Sequence, residues 1–290
     1  MQKPVIPDSV FSKKTSYGFE IPALGIGTWE MGGRHSREIK DDDKEIDAIR
    51  FALENGIRHI DTAERYGNGH AEELIAVAAE GMDRSELFIT SKVWSSHLGY
   101  DDVLRAAEGS LKRLKTGYLD LYLIHAPNPS FPIKETMKAM SRLIDEKVVL
   151  WTGVSNFNVP LMEEAQSFCS HKIAANQVEY NLFTRNLGSL SQNMEKEVYP
   201  YCIENDMIMI AWRPLDKGAL SSGSFPEISE IALKYKKTPA QIAINWLISK
   251  KNIVTIPKTS QRQHLLENTG ALGWSLSAED SLKLDRIAVK

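Results

Sequence analysis

Apolar residues along the chain follow two rhythms. Short, nearly continuous runs are Leu24-Gly25-Ile26-Gly27, Arg58-His59-Ile60-Asp61, Leu87-Phe88-Ile89-Thr90 and Leu119-Asp120-Leu121-Tyr122-Leu123-Ile124. Four more are Leu150-Trp151-Thr152-Gly153-Val154, Asn176-Gln177-Val178, Met207-Ile208-Met209-Ile210-Ala211 and Ile253-Val254-Thr255-Ile256. Such runs suit parallel strands buried on both faces. Between them, apolar residues recur at helical spacing. Residues 44–55 carry Ile46, Ile49, Phe51 and Leu53 and stop at Gly56; residues 101–115 carry Val103, Leu104, Ala107, Leu111 and Leu114. Thr238-Pro239-Ala240-Gln241 reads as a cap, a proline at the first helical position and a capping-box glutamine. Successive runs lie mostly about 25 to 35 residues apart, as repeated βα units require. The gap between Ala211 and Ile253 is longer, and its polar stretch Asp216 to Ser224 reads as a large functional loop.

Eight strand–helix units in about 260 residues predict a (β/α)8 TIM barrel. The segment Thr15-Ser16-Tyr17-Gly18-Phe19-Glu20-Ile21-Pro22 predicts a short N-terminal β-hairpin ahead of it. An open doubly wound sheet would show a glycine fingerprint after its first strand. Gly25-Ile26-Gly27-Thr28-Trp29-Glu30 and Gly67-Asn68-Gly69-His70-Ala71-Glu72 both lack the third glycine. A single domain over residues 1–290 is therefore expected.

Composition narrows the function. Of 290 residues, 42% are hydrophobic and 25% charged, enough for a large core and too ordered a mixture for a disordered chain. A net charge of −3 supplies no field for nucleic acid or an anionic membrane. The opening residues lack the apolar core of a signal peptide, and no apolar run reaches the roughly 18 residues of a membrane span. Cys169 and Cys202 fit no zinc or redox spacing and suit a reducing, cytoplasmic location. Asp41-Asp42-Asp43 reads as a helix start rather than a metal site.

Catalytic groups of a barrel sit where strands run into βα loops. Asp61, Tyr66, Lys92 and His125 fall at the ends of three consecutive predicted strands. Singly, each has a plain reading: a helix cap, a packed phenol, a surface ammonium, a core histidine. Together they make a proton donor for a carbonyl or an acceptor for an alcohol. A phenol titrates near 10, and a lysine beside it is expected to lower that value, with Asp61 as the counterion of Lys92. The same face carries Ser155, Asn156 and Gln177, whose hydroxyl and amide groups suit a carboxamide.

Seven stretches in order resemble the aldo-keto reductase superfamily. They are Leu24-Gly25-Ile26-Gly27-Thr28-Trp29, Asp61-Thr62-Ala63 leading to Tyr66, Thr90-Ser91-Lys92-Val93-Trp94 and Asp120-Leu121-Tyr122-Leu123-Ile124-His125. Gly153-Val154-Ser155-Asn156-Phe157, Asn176-Gln177-Val178-Glu179-Tyr180 and Ile256-Pro257-Lys258-Thr259 complete the set. The resemblance implies a barrel that binds NADP(H), with NAD(H) left open, and reversible hydride transfer to an aldehyde or ketone without a metal. It implies Tyr66 as general acid tuned by Lys92 and Asp61, with His125 orienting the carbonyl. Ser155, Asn156 and Gln177 would hold the nicotinamide amide. A small-molecule carbonyl is the implied partner, and the protein a monomer or weak homo-oligomer.

The chain also departs from the family pattern. Trp212 stands where a stacking tyrosine is usual, and Arg213 where a small polar residue is common; Arg213 would contact the cofactor diphosphate or pair with Asp216. Ser260 and Gln263 read as a capping box, placing a helix N-terminus beside Lys258 and Thr259 as a site for the 2′-phosphate. His264 stands where the family often has arginine, and Arg262 is a candidate replacement. Glu267 and Asn268 would face adenine, and Thr28, Trp29, Asp61 and Leu215 complete the expected cofactor contacts. Trp29, Trp94 and Phe131 would line the substrate pocket.

Two rivals follow from the same residues. A metal-dependent barrel hydrolase needs clustered ligands, and neither His-x-His nor His-Glu-x-x-His occurs. The stretch 153–157 resembles a serine elbow but ends in Phe157. A non-catalytic or redox-sensing NADP-binding barrel subunit is the second alternative, against which the intact quartet argues.

Overall fold

The computed structural model describes residues 12–185 and 193–287. Eight of its strands are β3 (Gly25–Gly27), β4 (His59–Asp61), β5 (Phe88–Val93), β6 (Leu119–Ile124), β7 (Val149–Ser155), β8 (Ile173–Glu179), β9 (Ile208–Trp212) and β10 (Ile253–Thr255). They pair in chain order, all parallel, in one sheet. The sheet's ends meet: Leu24 bridges Thr255 in parallel, Thr255 N–H donates to Ala23 O at 2.9 Å, and Gly27 N–H donates to Pro257 O at 3.1 Å. The expected barrel is thus formed.

The helices are α1 (Asp42–Glu54), α2 (His70–Ala78), α3 (Tyr100–Leu114), α4 (Ile133–Asp145), α5 (Val159–Phe168), α6 (Tyr199–Glu204), α7 (Pro226–Tyr235), α8 (Pro239–Ser249), α9 (Arg262–Thr269) and α10 (Ala278–Asp285). Local sequence sets their ends. Thr238 and Gln241 form the expected capping box of α8, with Pro239 in its first turn. Asp42 and Asp43 sit in the first turn of α1, where carboxylates meet the positive end of the helix dipole. The stretch expected as a long loop after β9 is shorter than read: Asp216–Ser221 forms a 3-10 turn and α7 follows.

Alternation along the strands divides two cores. Residues such as Ile49, Leu53, Ile60, Tyr122, Ile124 and Met209 pack between sheet and helices. Leu121, Leu123, Ala175, Ile208, Ile210, Val254 and Ile256 pack inside the barrel, together with Phe19 and Ile21. The latter two come from the turn and second strand of the hairpin β1 (Ser12–Lys14) and β2 (Glu20–Pro22), which is antiparallel as expected. The Phe19 ring lies 5.3 Å from that of Trp151 and 6.1 Å from that of Phe88, near the starts of β7 and β5, so the hairpin plugs the N-terminal end of the barrel. Two interior positions tolerate only glycine. A Cβ on Gly25 would lie 2.7 Å from the His59 ring, and one on Gly153 would lie 2.6 Å from Ala175 O.

β5 and β8 run well beyond their apolar stretches. β5 continues through Ser91, Lys92 and Val93 because its polar residues have partners on both faces. Ser91 Oγ donates outward to the buried Glu72 of α2 at 2.6 Å, and Arg113 of α3 donates to that carboxylate at 2.6 Å. Lys92 points inward. β8 likewise starts three residues earlier than read, at Ile173.

His59 is fully buried inside the barrel, its Nε2 3.1 Å from Thr90 Oγ1. Burial, reinforced by the charge of Lys92, lowers its pKa from 6.5 to about 3. The folded value is depressed, so the stability this neutral imidazole preserves is complete above pH 6.5 and is lost as pH falls from 6.5 towards 3. Over that window unfolding takes up a proton at His59, which costs about 1.4 kcal/mol per pH unit. Denaturant unfolding of the wild type and His59→Gln between pH 7.5 and 4 should show the wild type losing stability faster by about that amount. Parallel stability curves would rule the account out.

Candidate active site

The C-terminal ends of the strands gather the polar residues that the apolar core excludes. Asp61 ends β4, Lys92 lies one residue before the end of β5, and His125 follows β6. Ser155 ends β7, Gln177 lies near the end of β8, and Trp212 ends β9. Tyr66 arrives by a tight turn after β4, in which Gly67, Asn68 and Gly69 adopt left-handed backbone conformations. A Cβ on Gly67 would come within 2.3 Å of Gly32 O, so the turn closes directly on the loop that carries Trp29.

Lys92 is 0% exposed and Asp61 2%. The ammonium donates to Asp61 Oδ1 at 2.6 Å, to Thr62 O at 2.7 Å and to the Tyr66 hydroxyl at 3.3 Å. Its three N–H donors are all used, which fixes the charge in position. The other carboxylate oxygen of Asp61 accepts from Gln177 Nε2 at 2.7 Å. Burial opposes the ammonium, but the charge of Asp61 and the hydrogen bonds to Asp61 and Tyr66 outweigh it and hold Lys92 above its usual value.

Tyr66 corrects the sequence expectation. Burial lifts the phenol above its usual value of 10.0; Lys92 pulls it down, Asp61 pushes it up again, and the net shift is upward. The sequence signal was the neighbouring lysine, and it carried no measure of how deeply the phenol is enclosed. His125 is held well below 6.5, first by burial and then by the charge of Lys92, so its ring is neutral. Its Nδ1 is enclosed and makes no hydrogen bond.

Around these groups runs a closed chain of side chains. The Tyr66 ring meets Trp29 at 4.9 Å and His125 at 5.6 Å. Trp29 meets the His35 ring at 5.6 Å, and Trp94 meets His125 at 5.0 Å. Arg65 closes the circuit, donating to His35 O at 3.1 Å and lying 5.5 Å over the Trp94 ring. Trp29 and Trp94 thus flank Tyr66 and His125. Phe131 is half-buried and packs against the outer apolar layer. His35 and Arg65 escaped the sequence reading. Arg65 was findable as the residue before Tyr66, whereas the position of His35 depends on the path of a loop.

A second cluster occupies the other side of the mouth. Ser155 Oγ donates to Gln177 O at 2.9 Å, and Asn156 Nδ2 donates to His125 O at 3.2 Å and to Ser155 Oγ at 3.1 Å. Trp212 Nε1 donates to Asn156 Oδ1 at 3.3 Å, leaving a half-exposed indole at the end of β9. Ser155 is buried, so it presents no nucleophile elbow. Thr28 donates from both N–H and Oγ1 to Asp61 O at 3.0 Å, tying the first loop to the quartet. Among the described residues no group of His, Cys, Asp and Glu is placed to hold a metal.

The helix after β10 needs correcting. It starts at Arg262 with Gln261 as its cap residue, and no side chain caps it; Thr259 Oγ1 accepts from Gln261 N–H at 3.1 Å. The expected box at Ser260 and Gln263 was one residue out of register. Lys258 and His264 are exposed there, Glu267 is half-buried and Asn268 buried. Arg262 does not back up His264: its Nε donates to Asp47 of α1 at 2.7 Å and its guanidinium lies 5.0 Å over Phe51. Arg213 pairs with Glu179 at 3.3 Å and lies 4.9 Å over the Trp212 ring, and Leu215 packs into the apolar core behind it.

Comparison with known proteins agrees with this geometry. The aldo/keto reductase family model matches residues 23–289. A glyoxal reductase of Bacillus subtilis is 34% identical over 274 residues, 94% of this chain and 91% of that protein. The crystal structure of the thermostable aldo-keto reductase Tm1743 with the inhibitor epalrestat superposes with a TM-score of 0.89 at 41% identity, covering 95% of this chain and 98% of that one. An aldo-keto reductase from Klebsiella pneumoniae in complex with NADPH superposes with a TM-score of 0.83 at 33% identity, covering 96% and 95%. With the barrel, the buried Asp61–Lys92–Tyr66 group and these relatives in agreement, the chain belongs to the aldo/keto reductase family.

Proposed function

We propose that the protein is an NADPH-dependent reductase that converts aldehydes and ketones reversibly to alcohols. The observation that carries this reading is the fully coordinated Lys92 ammonium beneath a protonated Tyr66 and a neutral His125. The glyoxal reductase relative and the NADPH-bound neighbour support it. The residues on the β7–β10 side fit the cofactor. Ser155, Asn156 and Gln177 gather amide and hydroxyl groups suited to a carboxamide, and the half-exposed Trp212 offers a flat apolar surface for a ring. Lys258 and the first turn of α9 would hold the 2′-phosphate. Bound there, NADPH supplies the hydride.

The chain's own residues manage the proton and the carbonyl. His125 donates a hydrogen bond to the carbonyl oxygen and orients it. Tyr66 gives its hydroxyl proton to the oxygen as it becomes an alkoxide, and the Lys92 ammonium stabilises the phenolate left behind. Asp61 and Thr62 O keep that ammonium charged and in place, and Gln177 keeps Asp61 in place. In the reverse direction the phenolate takes the proton. Every group comes from one chain, so a monomer suffices. Two free cysteines fit a cytoplasmic location.

Tyr66→Phe should lower NADPH-dependent reduction by about 10² to 10⁴-fold while cofactor affinity changes little. Retention of more than about a tenth of the wild-type rate would exclude Tyr66 as the acid.

The pH profile follows from the directions of the shifts. Tyr66 lies above 10.0 and stays protonated below it; His125 lies well below 6.5 and stays neutral above it. kcat/KM for reduction should therefore be flat from about pH 6.5 to 9 and fall only in stronger alkali. A limb centred between pH 7 and 8 that vanishes in Tyr66→Phe or His125→Asn would contradict the assignment.

NADPH should bind more tightly than NADH through Lys258, and Lys258→Ala should narrow the difference by roughly a decade at low salt. His264→Arg should widen it. Titration of tryptophan fluorescence with each cofactor reads both, and no change in Lys258→Ala would remove this loop from phosphate recognition.

A further inference from the structure

The reductase reading leaves one charged group without a task. Arg65 is half-buried in the wall of the site, directly before Tyr66. Among the described residues it makes no ion pair. The neighbouring carboxylate, Glu64, is turned away: it accepts from Trp94 N–H at 2.7 Å and pairs with His97 at 3.0 Å. The other arginine of the wall, Arg34, pairs with Glu30 at 3.7 Å. Arg65 therefore brings an uncompensated positive charge to the mouth.

One of its donors is also free. Nη1 is taken by His35 O at 3.1 Å. Nε is enclosed and has no acceptor, whereas Nη2 is not enclosed and has no acceptor among the described residues. A guanidinium with an open N–H and no counterion suits a carboxylate, to which its hydrogen bond is charge-assisted. The guanidinium stacks on Trp94, whose edge meets His125, so one indole separates the cation from the ring that would orient the carbonyl.

Strand order gives this position meaning. Arg65, Tyr66, Trp29, His35, Trp94 and His125 come from the loops after β3 to β6, while the residues suited to the cofactor come from β7 to β10. Arg65 is thus on the half of the mouth left for substrate, away from Lys258 and α9.

We propose that Arg65 selects carbonyl substrates bearing a carboxylate a few bonds from the reacting carbon. The inference rests on the reductase reading and names the substrate class of that site. The carboxylate accepts from the open Nη2 and neutralises the cation, while the aldehyde reaches past Trp94 to His125 and Tyr66. Trp94 fixes the plane of the guanidinium, and His35 O fixes its rotation.

The test compares 4-oxobutanoate with 4-methylpentanal, which has nearly the same shape without the charge, both with NADPH. The readout is the ratio of kcat/KM for the two within each protein. Wild type should favour 4-oxobutanoate by about tenfold to a hundredfold, mainly through KM, and the ratio should fall as salt rises. Arg65→Gln should bring it near one, and Arg65→Lys, which keeps the charge without the planar group over Trp94, should hold an intermediate value. A wild-type ratio near one, or an unchanged ratio in Arg65→Gln, overturns the proposal. Should Arg65→Gln fail to fold by circular dichroism, the wild-type salt dependence and Arg65→Lys decide it. If wild type reduces neither aldehyde nor methylglyoxal, the reductase reading itself fails.

Discussion

A lysine ammonium with no access to water must find three acceptors inside the protein. In this barrel Lys92 finds a carboxylate, a main-chain carbonyl and a phenol, and much of the upper barrel is arranged around that need. Asp61 has to end the neighbouring strand, so the register pairing Asp61 with Thr90 has to hold. Thr62 has to turn its carbonyl inward as β4 leaves the sheet. Tyr66 has to return over the same ammonium, which forces three successive left-handed residues into the turn that follows. An ion pair this deep contributes little net stability against an apolar substitute, because desolvation offsets much of the attraction. What it gives is a fixed charge beside one hydroxyl.

That charge divides the mouth. Below Lys92 the barrel is apolar, filled by Leu121, Leu123, Ile208, Ile210 and the hairpin residues Phe19 and Ile21. Above it, Trp29, Arg65, Trp94 and His125 gather on one half, and Ser155, Asn156 and Gln177 on the other. Gln177 joins the halves, since its amide reaches Asp61 while its main chain accepts from Ser155. A residue read from the sequence only as a cofactor contact is also part of the support for the acid.

The architecture was legible because apolar runs and helical spacing are local signals. β6 coincides with its apolar run, and the capping box at Thr238 was readable from four residues. Signals that depend on neighbours in space were less legible. Lys92 and Ser91 looked like the end of a strand because polar residues interrupt the run, yet both lie inside it, each paired across one of its faces. The pattern at Ser260 and Gln263 resembled the one at Thr238, but without a proline to fix the first turn the helix starts one residue later. The quartet could be named from its order along the chain. The direction of the Tyr66 shift could not, because it is the outcome of burial against charge. Arg262 looked like a substitute phosphate ligand until the fold set Asp47 beside it.

The seam where β3 meets β10 gives the barrel a history as well as a shape. Leu24 and Thr255 bridge across nearly the whole length of the described chain, so the cylinder cannot close until its last strand has been made. Contacts so distant in sequence are slow to form. During synthesis on the ribosome, Lys92 and Asp61 would emerge long before the wall that shields them is complete, and they would remain in water through most of that interval. The ammonium's dry environment is therefore a late product of folding, and the activity that depends on it would appear only when the seam has shut.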